Sequence, residues 1–200
     1  MRQRKWKSNA TQINEAERER PARSIDPEKA RAKTMTRAIN LLAAKPRSIN
    51  ELRERLLEKE WTNEEIVEAV IAKLGEYGYV NDERFAFGYA SSRVRQKPLG
   101  RGRLLRDLQM KQVDRETADK AVRLVFEETP EEELIDRAIE KRMRLRGRPQ
   151  TRAESKSLFD HLLRQGFSFD LVIRRVRAAT NASLDEAVED EAAADQAQEQ

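Results

Sequence analysis

The chain has 200 residues and no cysteine. Disulfides and thiolate metal sites are therefore excluded. It has a single histidine, His161, so a histidine-rich metal centre is excluded as well. His161 reads as a structural or surface residue beside Leu162. No apolar run approaches the roughly 18–20 residues that span a bilayer. The N-terminus, Met1-Arg2-Gln3-Arg4-Lys5-Trp6-Lys7, lacks the apolar segment of a signal peptide. A cytoplasmic protein without a membrane role is expected. No nucleophile elbow, phosphate loop or dinucleotide fingerprint occurs. Gly100-Arg101-Gly102 is too short to cradle a phosphate and reads as a helix entry. No catalytic residue, metal or cofactor is expected. Aromatics are only 6% of the chain, and hydrophobic residues 38%. That is thin for one large core and sufficient for short amphipathic helices, each with a narrow buried stripe.

What is present is helix punctuation. Asp26-Pro27 pairs a cap with a first-position proline. The helix that follows runs to about Ala44, with Ile39 and Leu42 in its buried stripe, and stops before Pro46. Ser48 with Glu51 and Thr62 with Glu65 read as capping boxes. The helices they open carry Leu52 and Leu56, then Ile66, Val70 and Leu74. Gly75 and Gly78 break the chain. Asn81 or Asp82 caps a helix over 82–96, which ends at Lys97-Pro98-Leu99-Gly100. Leu104, Leu105 and Leu108 mark the next helix. Asp114 caps another with Ala118, Val122 and Phe126. Thr129 and Pro130 open a helix that ends near Gly147. Thr151 and Glu154 form a further box before Leu158 and Leu162. Gln165-Gly166 reads as a glycine stop, and Ser168 caps the last helix, with Val172 and Val176.

A fixed offset links these pieces. Leu52, Leu56, Trp61, Thr62, Ile66 and Val70 recur 52 residues later as Leu104, Leu108, Val113, Asp114, Ala118 and Val122. A further 54 residues gives Leu158, Leu162, Phe167, Ser168, Val172 and Val176. Each series is two apolar residues on a helix, an apolar corner, a cap, and two apolar residues on the next helix. The expectation is an all-α protein of three tandem three-helix repeats in an elongated, curved array. Expected boundaries are 26–77, 78–128 and 129–180. Residues 1–25 are expected as a disordered basic extension and 181–200 as an acidic disordered tail.

Formal net charge is +4, and it is unevenly spread. No lysine or arginine follows Arg177, and the tail holds seven acids. The rest of the chain therefore sets 29 acids against 40 bases. Two clusters stand out. One holds Arg93, Arg95, Lys97, Arg101, Arg103, Arg106 and Lys111 against Asp107 alone. The other has Arg137, Lys141, Arg144 and Arg148 on the helix face opposite Ile135 and Ile139. Arg142 and Arg146 project along the apolar side instead, either overhanging the core or laying their stems on it. Such faces suit phosphate or carboxylate. These residues are the candidate partner-binding set, with nucleic acid and acidic protein both open as partners.

The stretch Gly78-Tyr79-Val80-Asn81-Asp82-Glu83-Arg84-Phe85-Ala86 resembles the hallmark of the RecX regulatory proteins. Arg93, Gly100, Arg103-Leu104, Leu108 and Lys111 continue the pattern, and Arg47-Ser48, Glu51-Leu52 and Leu56 precede it. Gln112 stands where the family often has glycine, so that corner is expected to be less strained or differently closed. Gly78, Tyr79, Asp82, Arg84 and Phe85 are the structural hallmark, with Tyr79 and Phe85 read as packing at the joint between repeats. The resemblance implies tandem three-helix repeats that bind in the groove of the RecA recombinase filament. It implies inhibition of ATP hydrolysis, strand exchange and coprotease activity, and hence a modulator of recombination and the SOS response to DNA damage. The alternative is a basic module acting mainly on single- or double-stranded DNA. A monomer is expected.

Overall fold

The computed structural model describes residues 26–180. The expected basic extension and acidic tail lie outside the described residues. Those described form an all-helical chain: α1 (Pro27–Ala44), α2 (Ile49–Leu57), α3 (Glu64–Glu76), α4 (Asp82–Gln96), α5 (Arg101–Met110), α6 (Arg115–Glu128), α7 (Glu131–Arg146), α8 (Arg152–Arg164) and α9 (Phe169–Thr180).

Local chemistry sets most of these limits. Asp26 caps α1 by accepting from the Lys29 amide, with Pro27 next. Asn81 and Asp114 cap α4 and α6 in the same way. Thr151 and Glu154 form a complete capping box on α8. Gly78 and Gly166 take the left-handed φ values of 72° and 87°, which only glycine reaches without a steric penalty. Gly75, read with Gly78 as a break in the chain, lies inside α3 and has no positive φ.

The helices group in threes, with α4 against α6, α1 against α3, and α7 and α8 against α9. The second helix of each unit carries two leucines at or near zero exposure: Leu52 and Leu56, Leu104 and Leu108, Leu158 and Leu162. Each is worth about 1.5–3 kcal/mol of burial, which makes this pair the anchor of its unit. The buried residues fall into two clusters. One gathers Leu52, Leu56, Val67, Leu74 and Val80 around α1–α3. The other runs without a break through α4–α9.

Several expectations near the first unit change. Ile39 is 49% exposed, and α1 buries Ala30, Thr34 and Ala38. Thr62 does not cap α3. Its hydroxyl meets that of Thr34 in the interior at 3.0 Å, and Asn63 caps instead. Trp61, the expected apolar corner, stays 39% exposed, whereas its counterparts Val113 and Phe167 are buried. Ser48 caps α2, but Glu51 does not reach back to complete a box; its carboxylate meets Arg47 and Lys45. Thr129 closes α6 rather than capping α7.

The joints between units repeat. At the first, Ser48 Oγ donates to the Lys111 carbonyl and Asn50 donates to the Gln112 carbonyl (2.8 Å). The Ile49 amide donates to Asp82, the first residue of α4 (2.8 Å). At the second, Gly100 and Gly102 donate through their amides to the carbonyls of Gln165 and Gly166, both at 3.0 Å. The Arg101 amide donates to Glu131, the first residue of α7 (2.8 Å). Ser48, Ile49 and Asn50 correspond to Gly100, Arg101 and Gly102 by the same offset of 52; Lys111 and Gln112 correspond to Gln165 and Gly166 by the offset of 54. Each joint thus sets the N-terminus of one middle helix on the corner of the next unit. The acid satisfies an orphan amide at the positive end of the helix dipole.

Gly100 is accordingly more than a helix entry. A Cβ there would lie 2.2 Å from the Phe167 nitrogen, and one on Gly166 would lie 2.1 Å from the Arg103 nitrogen. Gln112 takes the left-handed corner too, at φ 57°. The expectation of a relaxed or differently closed turn is wrong: the joint needs the Gln112 carbonyl aimed at Asn50, and the side chain bears the strain.

Candidate partner-binding groove

The hallmark residues frame a groove. Tyr79, Asn81, Arg84 and Phe85 line a cleft of about 670 Å³ between α1, the α3–α4 turn and α4. Leu42 and Pro46 form its other wall, and Tyr89 extends its floor. Phe85 and Tyr89 stack with centroids 6.0 Å apart. Tyr79 is 66% exposed and meets Tyr77 edge-on. Both hallmark aromatics were expected to pack the joint. Tyr79 does not, and Phe85 is only half-buried, one side resting on the core and the other facing the groove. The joint is made instead by backbone carbonyls and short polar side chains, which leaves the rings free to line a cleft.

Cations rim this cleft. Lys45, Arg47, Arg84 and Lys111 all line it. Glu51 sits among three of them, with Arg47 at 2.7 Å, Lys45 at 3.1 Å and Lys111 at 3.8 Å. Burial pushes the Glu51 carboxyl up, but the Lys45 hydrogen bond and the charges of Lys111, Lys45 and Arg47 outweigh it and hold it below the ordinary range. One acid against three bases leaves positive charge over the groove. Arg84 is braced by donating to the Gly78 carbonyl at 2.6 Å. Asp82 carries the joint, so its role is structural; burial raises its pKa, and the Ile49 amide opposes that.

The structure divides the basic residues singled out from sequence. Arg93 and Arg103 are not free cations. Both grip Asp107, a carboxylate only 2% exposed, at 2.8 and 2.9 Å. Asp107 falls on the buried stripe with Leu104 and Leu108, and that position was the available sign that the lone acid in a basic run is an internal anchor. Burial and the Asp107 charge raise the Tyr89 hydroxyl, which places this ion cluster beside the groove floor. Lys111 lies at the groove itself. Arg95, Lys97 and Arg106 are exposed, and Arg101 stacks on Phe126 at 5.0 Å. Arg137, Lys141 and Arg144 are exposed on α7, and Arg137 pairs with Glu133; Arg148, expected on the same helix face, is exposed beyond the helix end at Arg146. Lys45 and Arg47 were not in the sequence-derived set. They sit in a different unit, and only the fold brings them to the hallmark. Among the described residues no group of acids and histidine is placed to hold a metal, and no helix is long and apolar enough to cross a membrane.

Comparison with known proteins meets this geometry. Residues 35–74 match the family model for the first three-helix domain of RecX, and residues 81–122 the model for the second. The chain is 31% identical over 176 residues to the regulatory protein RecX of Amycolatopsis mediterranei, covering 85% of this chain and 99% of that one. The chain belongs to the RecX family. A RecX of Treponema pallidum is 32% identical, with 73% and 85% covered. The RecX of Bacillus subtilis is 30% identical over 140 residues, and the match spans 52% of that longer protein. A RecX crystal structure from Lactobacillus salivarius superposes with a TM-score of 0.68 at 20% identity, covering 78% of this chain and 99% of that one. RecX hallmark positions in this chain thus do two jobs: Asp82 locks a joint, and Tyr79, Arg84 and Phe85 line the groove beside it.

Proposed function

We propose that this chain is a cytoplasmic regulator that binds the RecA recombinase filament and inhibits its ATPase, strand-exchange and coprotease activities, so modulating recombination and the SOS response. Family membership supports the reading. The single structural observation that carries it is the aromatic, cation-rimmed groove built from the family's hallmark. A cleft with half-buried rings and net positive charge suits a partner segment that offers an apolar side chain beside acids. We assign the exposed cations Arg95, Arg106, Lys141 and Arg144 as further contacts for the partner. Action is by occupancy, with no catalytic residue, and the regulator works as a monomer.

The test is a titration into RecA hydrolysing ATP on single-stranded DNA, with filament length followed by microscopy. Inhibition that weakens with salt is expected. Absence of both inhibition and filament shortening would sink the proposal. Tyr79→Ala should weaken inhibition without altering helicity. Arg106→Glu is the appropriate charge reversal; the same change at Arg103 would set a carboxylate against buried Asp107 and confound binding with folding.

A further inference from the structure

A second feature lies away from the groove, at the seam between α7 and α8. Arg142 is half-buried and donates to the Ser157 carbonyl (3.3 Å) and hydroxyl (2.9 Å). With Arg146, Arg148, Ser157 and Glu154 it lines a cavity of about 160 Å³. Glu154 is the one acid in that lining, and its carboxylate is already committed to the amides of Gln150 and Thr151. One turn along α8 from Ser157 lies His161. Arg142 and Arg146 from α7, Arg164 from α8 and Lys97 from the end of α4 all press on it. Among the described residues none of Lys97, Arg142, Arg146, Arg148 and Arg164 has a carboxylate within ion-pair distance; Asp160 is the acid beside His161 in sequence. Burial first, then these four cations, hold the imidazole below its ordinary value. Arg142 is depressed as well, by burial and by Arg146 and Arg164.

Like charges gathered without counter-ions repel, and a site of this kind is relieved by an anion. The cavity accommodates one phosphate group. Guanidinium forks suit phosphate oxygens by paired hydrogen bonds. The seam has little of the apolar and aromatic lining that the hallmark groove offers, so a side-chain ligand finds little to bury here.

We infer that the α7–α8 seam is a phosphate-binding site that takes a backbone phosphate of a single-stranded nucleic acid, with Arg142, Arg146 and Arg148 as its ligands. It is separate from the hallmark groove and needs no RecA. The single histidine makes it readable. Bound phosphate brings negative charge to His161, so its pKa, followed by proton NMR on the full chain, should rise when an oligo(dT) is added. Anisotropy of a labelled oligo(dT) across a salt series gives the second reading. Arg146→Gln and Arg148→Gln should each lower the log–log salt slope by about 0.7, one lost single-strand phosphate contact. Arg123→Gln, exposed on α6, should leave it unchanged. Arg142→Lys retains charge but not the fork, and should weaken binding at equal slope. Unchanged slopes in both glutamine variants, with helicity intact, would overturn the site. So would a His161 response to inorganic phosphate alone and none to oligo(dT), which marks an isolated ion site. A His161 pKa that drops on deletion of residues 181–200, without nucleic acid present, would assign the seam to the chain's own acidic tail and likewise overturn the proposal.

Discussion

The two joints use the same three positions and different chemistry. At α2 the contacts are made by side chains, Ser48 and Asn50. At α5 the same positions are Gly100 and Gly102, and the backbone amides themselves reach the next corner. Side chains hold the units at a distance, and a groove of about 670 Å³ opens beside the first joint. Glycines allow backbone to touch backbone, and the hydrophobic core runs straight through the second joint. The lesson is that one docking geometry yields either a cleft or a fused core, depending on whether a few atoms of side chain intervene.

The comparison can be broken first at glycine. Gly166→Ala places a Cβ against the Arg103 backbone at a left-handed residue. It should cost more than about 3 kcal/mol, since overpacking and backbone strain add, and denaturant unfolding should report it with loss of a single transition. Asp107→Asn comes next. It strips the shared anchor from Arg93 and Arg103, and about 1–3 kcal/mol should be lost. Ser48→Ala removes a cap and one bond of the first joint together, for about 1–2 kcal/mol. If it cost as much as Gly166→Ala, the contrast between joints would fail. Gln112→Gly should stabilise by up to about 1 kcal/mol, because it relieves the left-handed strain and removes a side-chain oxygen that lies buried without a partner; thermal unfolding reads the sign.

The smallest effect is pH-dependent and belongs to His161, whose ring meets the side chain of Gln165 at the second joint. The His161 pKa is lowered in the fold, so the unfolded chain binds more protons as pH falls below the ordinary histidine value near 6.5. Stability should therefore rise with pH through that range and decline below it. His161→Asn should flatten this slope. The first joint responds lower down, where Glu51, held below its ordinary value, begins to take up its proton.

Much of this was readable from residue order. Leucine pairs, caps and glycine stops located the helices, because each is a local effect of period or backbone freedom. The joints were not. Gly100 and Gly166 are far apart in sequence, and nothing near either one announces that they touch. Arg93 and Arg103 looked like a binding face because helical periodicity reports direction and not the partner across the gap. Trp61 looked buried because its counterparts are; among the described residues no unit docks on the first corner.

That uncovered corner has a wider meaning. In the units that accept a neighbour, the corner carbonyls point outward and wait for a donor. In α2–α3 the Lys59 carbonyl is taken by the Thr62 amide of its own turn, and Glu60, the counterpart of Gln112 and Gly166, keeps an ordinary φ. Among the described residues, a corner that receives a helix entry and the corner that receives none thus differ by one backbone hydrogen bond: where the turn consumes its own carbonyl, no helix entry is seated on it.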